Sequence, residues 1–183
     1  GLSSDPEMNW RLSQLDKYNL VSFSDSHSFW PWRMGRESTV FDLPELNYDY
    51  IINAVHSGEG LKETIEVDPG YGKYHWDGHR KCAVVLSPSE SNKINKICPK
   101  CGRPMTIGVE NRVEELADRP IGFVKDNAKP FKKYIPMSDL ISGVIGKGVS
   151  TKSVWTEYNK VVSKLGSEYD ILEKFQELNW INI

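Results

Sequence analysis

Apolar positions recur along this chain at two periods, and the change of period marks its elements. Trp10, Leu12 and Leu15 predict a short helix over 10–17, and the run Leu20, Val21, Phe23 predicts a strand over 19–24. A short strand over 39–41 follows. A helix over 48–56 comes next, with Tyr50 or Ile51, Ala54 and Val55 on one face and a stop at Gly58 and Gly60. Alternation in ETIEV predicts another strand over 63–67, broken by Asp68, Pro69 and Gly70. Helix, strand, strand, helix, strand is a slice of an α/β sheet or barrel, too little to close one by itself.

Beyond the middle of the chain the period is helical. Val109, Val113 and Leu116 share one face of a helix expected over 109–118. Residues 119–136 carry three prolines and the cluster Lys129, Lys132, Lys133, and read as a connecting loop. Three helices are expected after it, over 138–145, 152–165 and 169–180, the first capped by Ser138 and the second stopped by Gly166.

Charge changes this picture more than composition does. The net charge is only −2, yet residues 1–70 hold five Lys or Arg against twelve Asp or Glu, while residues 71–105 hold seven against two. An acidic segment suits metal ions, and a compact basic one suits phosphate. No run of eighteen apolar residues occurs, which excludes a helix that spans a membrane. The chain opens on Gly1 within GLSSDP, as expected of a piece of a longer protein.

The basic segment also holds all three cysteines. His79, Cys82, Cys98 and Cys101 form two pairs with two residues inside each pair and fifteen between the pairs. That is the spacing of a structural Zn²⁺ site, each short pair supplying one edge of a tetrahedron. Gly102 is placed to take the positive φ that turns backbone N–H groups toward sulfur. His75 is the other candidate for the fourth ligand; it lies six residues before Cys82 and needs a longer loop, so His79 is preferred. An odd number of cysteines at this spacing fits a reducing, cytoplasmic setting better than a disulfide framework.

Asp25 and His27 follow the strand expected over 19–24. Two residues apart in an extended chain, they project together, and a carboxylate with a neutral imidazole suits a divalent metal. Beside them stand Trp30, Trp32, Arg33 and Arg36. Aromatic faces stack on bases and guanidinium forks grip phosphate, so these residues, with Lys73, His75, Arg80 and Lys81, are candidate nucleic-acid contacts.

Four stretches in order, SDSHSFWPWRMGRE, GKYHWDGHRKC, CPKCG and RVEELADRP, resemble endonuclease Q, a family with a PHP-type metal-dependent phosphoesterase domain. The resemblance implies an α/β chain in three parts: 1–70 as the end of a PHP-like (β/α) barrel, 71–125 as a zinc-binding domain and 126–183 as a helical region. It implies that Asp25 and His27 are the last ligand pair of a catalytic centre holding Zn²⁺, Mn²⁺ or Mg²⁺. The implied activity is cleavage of DNA on the 5′ side of deaminated bases or abasic sites, by a monomer. The other ligand motifs of that family are absent here, so cleavage by this chain alone is not expected. The competing expectation is a zinc-ribbon module that binds nucleic acid without chemistry.

Overall fold

Asp5 and Pro6 start the first helix. In the computed structural model, which describes residues 3–27 and 35–177, helix α1 (Pro6–Trp10) is capped by Asp5, whose Oδ1 accepts the Met8 N–H at 2.8 Å. Proline's fixed φ suits the first helical position, and this side-chain cap outcompetes the weak apolar spacing of 10–17. The helix therefore ends where it was expected to begin, and only a 3-10 turn at Ser13–Leu15 follows.

No strand forms over 19–24; the extended chain there is tied by side chains instead of a backbone ladder. Thr39 Oγ1 accepts the Ser22 N–H at 2.9 Å and donates to the Ser22 carbonyl at 2.9 Å, while Ser22 Oγ donates to Glu66 Oε2 at 2.9 Å. Ser22 is the buried member of this segment, and Phe23 is 59% exposed. A polar residue can be the inward one because each of its hydrogen-bonding groups is met.

The main sheet has three strands, β1 (Ser38–Phe41), β2 (Leu61–Glu66) and β5 (Phe131–Lys133), in the order β1-β2-β5. Strand β1 runs antiparallel to β2, with Ser38 opposite Ile65 and a register shift between Val40 and Phe41. Strand β5 joins β2 in parallel, Ile65 opposite Lys132. This sheet is mixed, not a run of parallel β/α units. Helix α2 (Tyr48–Ser57) makes the β1–β2 connection, held by an Asn47 cap and by Gly58 at φ 79°.

Strand β5 lies inside the stretch read as a loop. Three residues flanked by proline and rich in lysine carry no strand signal; pairing with β2 creates the strand. The connection from β2 to β5 carries a two-stranded hairpin, β3 (Asp77–His79) with β4 (Val84–Leu86), and helices α3 (Pro88–Lys93) and α4 (Val109–Leu116).

Helices α5 (Met137–Ile145), α6 (Lys152–Leu165) and α7 (Glu168–Glu177) cover the sheet. Ile65, Tyr134, Met137, Ile171 and Leu172 form the buried cluster between them, so the first and last parts of the chain share one core. Glu168 pins that packing: Oε1 accepts the Met137 N–H and Oε2 accepts the Tyr158 hydroxyl, both at 2.7 Å. A second cluster, Met8, Leu12 and Val113, joins α1 to α4, reinforced by a bidentate Arg11–Glu114 pair at 2.6 and 3.2 Å.

Candidate metal centre and nucleic-acid face

Two tight turns face one another on the hairpin module. The first follows β3: a 3-10 turn over Arg80–Cys82 ends at Ala83, which adopts φ 49°. In the second, Gly102 N–H donates to the Cys98 carbonyl at 2.9 Å, Cys98 N–H donates to the Arg103 carbonyl at 2.8 Å, and Gly102 takes φ 70°. Each turn thus ends on a left-handed residue directly after its second donor, Cys82 in one and Cys101 in the other. Lys100 ties them together, its Nζ donating to the Cys82 carbonyl at 2.9 Å.

The turns bring one donor atom each from His79, Cys82, Cys98 and Cys101 to within 4.8 Å of one another. His79 Nδ1 lies 3.2 Å from Cys101 Sγ. A tetrahedral ion with bonds of about 2.0–2.3 Å separates its ligands by a little under 4 Å, so this donor set fits a small divalent metal. The thiols are not equivalent. Burial alone would raise the Cys98 thiol, but the Lys100 and Cys101 N–H groups, with help from His79, bring it down to about 6. Hydrogen bonding to Cys101 pushes Cys82 up to about 11. Hydrogen bonds from backbone N–H groups thus favour the thiolate form at Cys98, the form in which a cysteine binds a metal.

His75 faces elsewhere. It is 7% exposed, its Nδ1 lies 3.2 Å from the Ser3 carbonyl, and its ring meets Trp76 edge-on at 4.7 Å. That burial leaves it no open side for phosphate. Asp77, beside the centre, is wholly buried; its carboxylate accepts from Gly108 N–H at 2.6 Å and from the Ser91 hydroxyl and the Asn111 amide. This hub, which links β3 to α3 and α4, has no signature in the sequence, because three of its four members converge from far along the chain.

Asp25 and His27 both lie exposed at the end of the strap over 19–24. Asp25 takes φ 45°, so the two side chains are not presented as neighbours on a strand. Instead His27 Nδ1 donates to the Asp25 carbonyl at 2.7 Å, which leaves Nε2 as the lone-pair nitrogen of the neutral ring. Among the described residues no third His, Cys, Asp or Glu donor joins them in a metal-sized group. Glu37 and Glu66, at the adjoining ends of β1 and β2, are both buried. Burial, with Glu66 nearby, pushes Glu37 up to about 7.

Of the candidate nucleic-acid contacts, Lys73, Arg80 and Lys81 are exposed on the module, and Arg36 is half-buried with its guanidinium 5.5 Å from the Tyr71 ring. Trp30, Trp32 and Arg33 lie outside the described residues.

The chain is thus a mixed α/β body whose β2–β5 crossover carries a Cys/His cluster that could hold a metal ion. Residues 136–179 match the family described as the MJ0043 C-terminal domain. The chain is 35% identical over 181 residues to MJ0043 of Methanocaldococcus jannaschii, across 94% of this chain and 22% of that protein. It is 30% identical over 122 residues to YqxK of Bacillus subtilis, across 65% of this chain and 30% of that one. Among solved structures it is similar to the lesion-specific endonuclease PfuEndoQ from Pyrococcus furiosus, with a TM-score of 0.78 and 29% identity over 93% of this chain. A structure of endonuclease Q with a 27-mer duplex carrying an abasic lesion gives a TM-score of 0.82 and 30% identity over 92%. The resemblance to endonuclease Q therefore extends through nearly the whole chain, which spans 43% of each of those solved chains. No helix among the described residues is long and apolar enough to cross a membrane.

Proposed function

We propose that this chain is part of a metal-dependent DNA repair endonuclease that cuts the backbone 5′ to deaminated bases or abasic sites. The observation that carries this reading is the fit, at a TM-score of 0.82, to an endonuclease caught on an abasic duplex. In this reading the segment 1–70 is one sector of a PHP-like barrel and 126–183 is a helical region around it. The module at 71–125 is held by Zn²⁺ on His79, Cys82, Cys98 and Cys101. Structural sites of this kind supply on the order of 10 kcal/mol to segments with little core of their own.

Asp25 and His27 supply two ligands to a catalytic centre whose remaining donors come from the rest of the longer protein. A divalent metal bound there would supply an activated water and offset charge on the leaving oxygen. This chain's own part is to hold the His27 imidazole with Nδ1 engaged by the Asp25 carbonyl, which leaves Nε2 as the nitrogen available to a metal. Lys73, Arg80, Lys81 and Arg36 carry phosphate contacts. The test is nicking of an end-labelled duplex bearing one abasic site by the protein that contains this chain. The expected result is a cut 5′ of the lesion, lost in His27→Ala with duplex binding kept. Unchanged turnover removes His27 from the centre, and a cut on the 3′ side overturns the activity.

One observation favours a second reading, a zinc-ribbon module that binds nucleic acid without chemistry: among the described residues the only cluster of three or more metal donors is the Cys/His one. A protein that binds lesion duplex and never nicks it, whatever metal is added, supports this second reading.

A further inference from the structure

Three aromatic side chains stand out of the loop that leads into β3: Tyr71 at 44%, Tyr74 at 58% and Trp76 at 40% exposure. Aromatic rings gain when taken out of water, so three left partly open within six residues call for a partner. The loop beneath them is pinned. His75 N–H donates to the Gly72 carbonyl, and the Tyr74 and His75 carbonyls accept from Val109 and Glu110 N–H groups at 2.8 and 3.1 Å. The backbone lies so close on Gly108 that a Cβ there would come within 2.3 Å of the His75 carbonyl oxygen. His75, buried under the loop, braces the Trp76 ring.

Cations complete the surface. Lys73 Nζ sits 4.8 Å from the Tyr74 ring centre and Arg36 packs near Tyr71. Rings on a rigid backbone stack on a partner's flat face with little ordering cost, and the adjacent positive charge selects a polyanion. In an intact duplex the faces of bases are already stacked and only their edges are open, so such a surface fits bases that have left the stack.

We propose that the loop 71–76 is a stacking platform for the unpaired bases of single-stranded DNA. The inference rests on the nucleic-acid part of the proposed function and adds the form of DNA that this face takes.

The Zn²⁺-loaded chain is titrated with a labelled thymidylate strand of about 12 nucleotides and with an equally charged strand of abasic spacers, each followed by anisotropy. The base-bearing strand should bind roughly 5- to 100-fold more tightly for each base stacked. Trp76→Ala and Tyr74→Ala should each remove one such factor and leave spacer binding, metal content and melting unchanged; Trp76→Phe should restore most of it. Equal affinity for the two strands, a preference untouched by both substitutions, or no binding of either strand overturns the platform. Base-dependent binding in a protein that fails to nick lesion duplex supports the platform and counts against the endonuclease reading alone.

Discussion

The hairpin module and the sheet-and-helix body are held together by different physics. The module's buried cluster is Val84, Cys98 and Met105, with Cys82, Leu86 and Ile94 around it, so two of its six members are also metal donors. The body buries Ile65, Tyr134, Met137, Ile171 and Leu172 and packs seven further apolar side chains against them. A segment with so small a core gains most from a metal cross-link at its Cys/His cluster, whereas the body depends on burial. The module is inserted into a crossover of the body, and the Met8, Leu12 and Val113 contact between the α1 region and α4 fixes its place.

The strongest way to break this contrast is Cys98→Ser. It should release the metal and erase hydrogen-exchange protection over 77–106 while protection over 131–177 persists. Elemental analysis still finding one equivalent of metal would show that the four donors are not the ligands. In the body, Ile171→Ala opens a cavity at a fully buried site and should cost about 2–5 kcal/mol in denaturant unfolding, with metal content unchanged. A loss of metal in that variant would mean the two regions fold as one.

A pH series sharpens the same contrast, since Glu37, the carboxyl pushed up to about 7, belongs to the body. Glu37 holds its proton to about 7, above its unfolded value, so the stability it contributes is full below about 4.5 and is lost as pH rises through about 7. Melting of the body should fall over that window by roughly 1–3 kcal/mol, and Glu37→Gln should flatten the profile. A profile that stays as steep in the variant would assign the pH dependence elsewhere. The smallest effect is expected at Ala83, where φ 49° strains a side chain: Ala83→Gly should stabilise the metal-bound module by about 1 kcal/mol. Chelator-induced unfolding at a higher chelator concentration than in the parent would register it.

What could be read from the chain itself was local. Helices α2, α5 and α6 appear within a few residues of their expected places, because Asn47, Gly58, Gly146 and Gly166 set their ends over short distances. Ser138, expected as the cap of α5, instead lies buried inside a helix that starts after Pro136. The spacing of His79, Cys82, Cys98 and Cys101 was equally legible, since a two-residue gap is itself the geometry of a ligating turn. Tertiary structure decided the rest. Strand β5 exists only because β2 offers it a parallel edge, and the strap over 19–24 is held by Thr39 and Glu66, not by any ladder. Spacing alone preferred His79 to His75; the register of β3 against β4 and Thr106 shows why, turning one inward and the other toward sulfur. Caps and ligand turns act over three or four residues and so leave their mark in sequence, whereas pairings between distant segments depend on partners that no local pattern names.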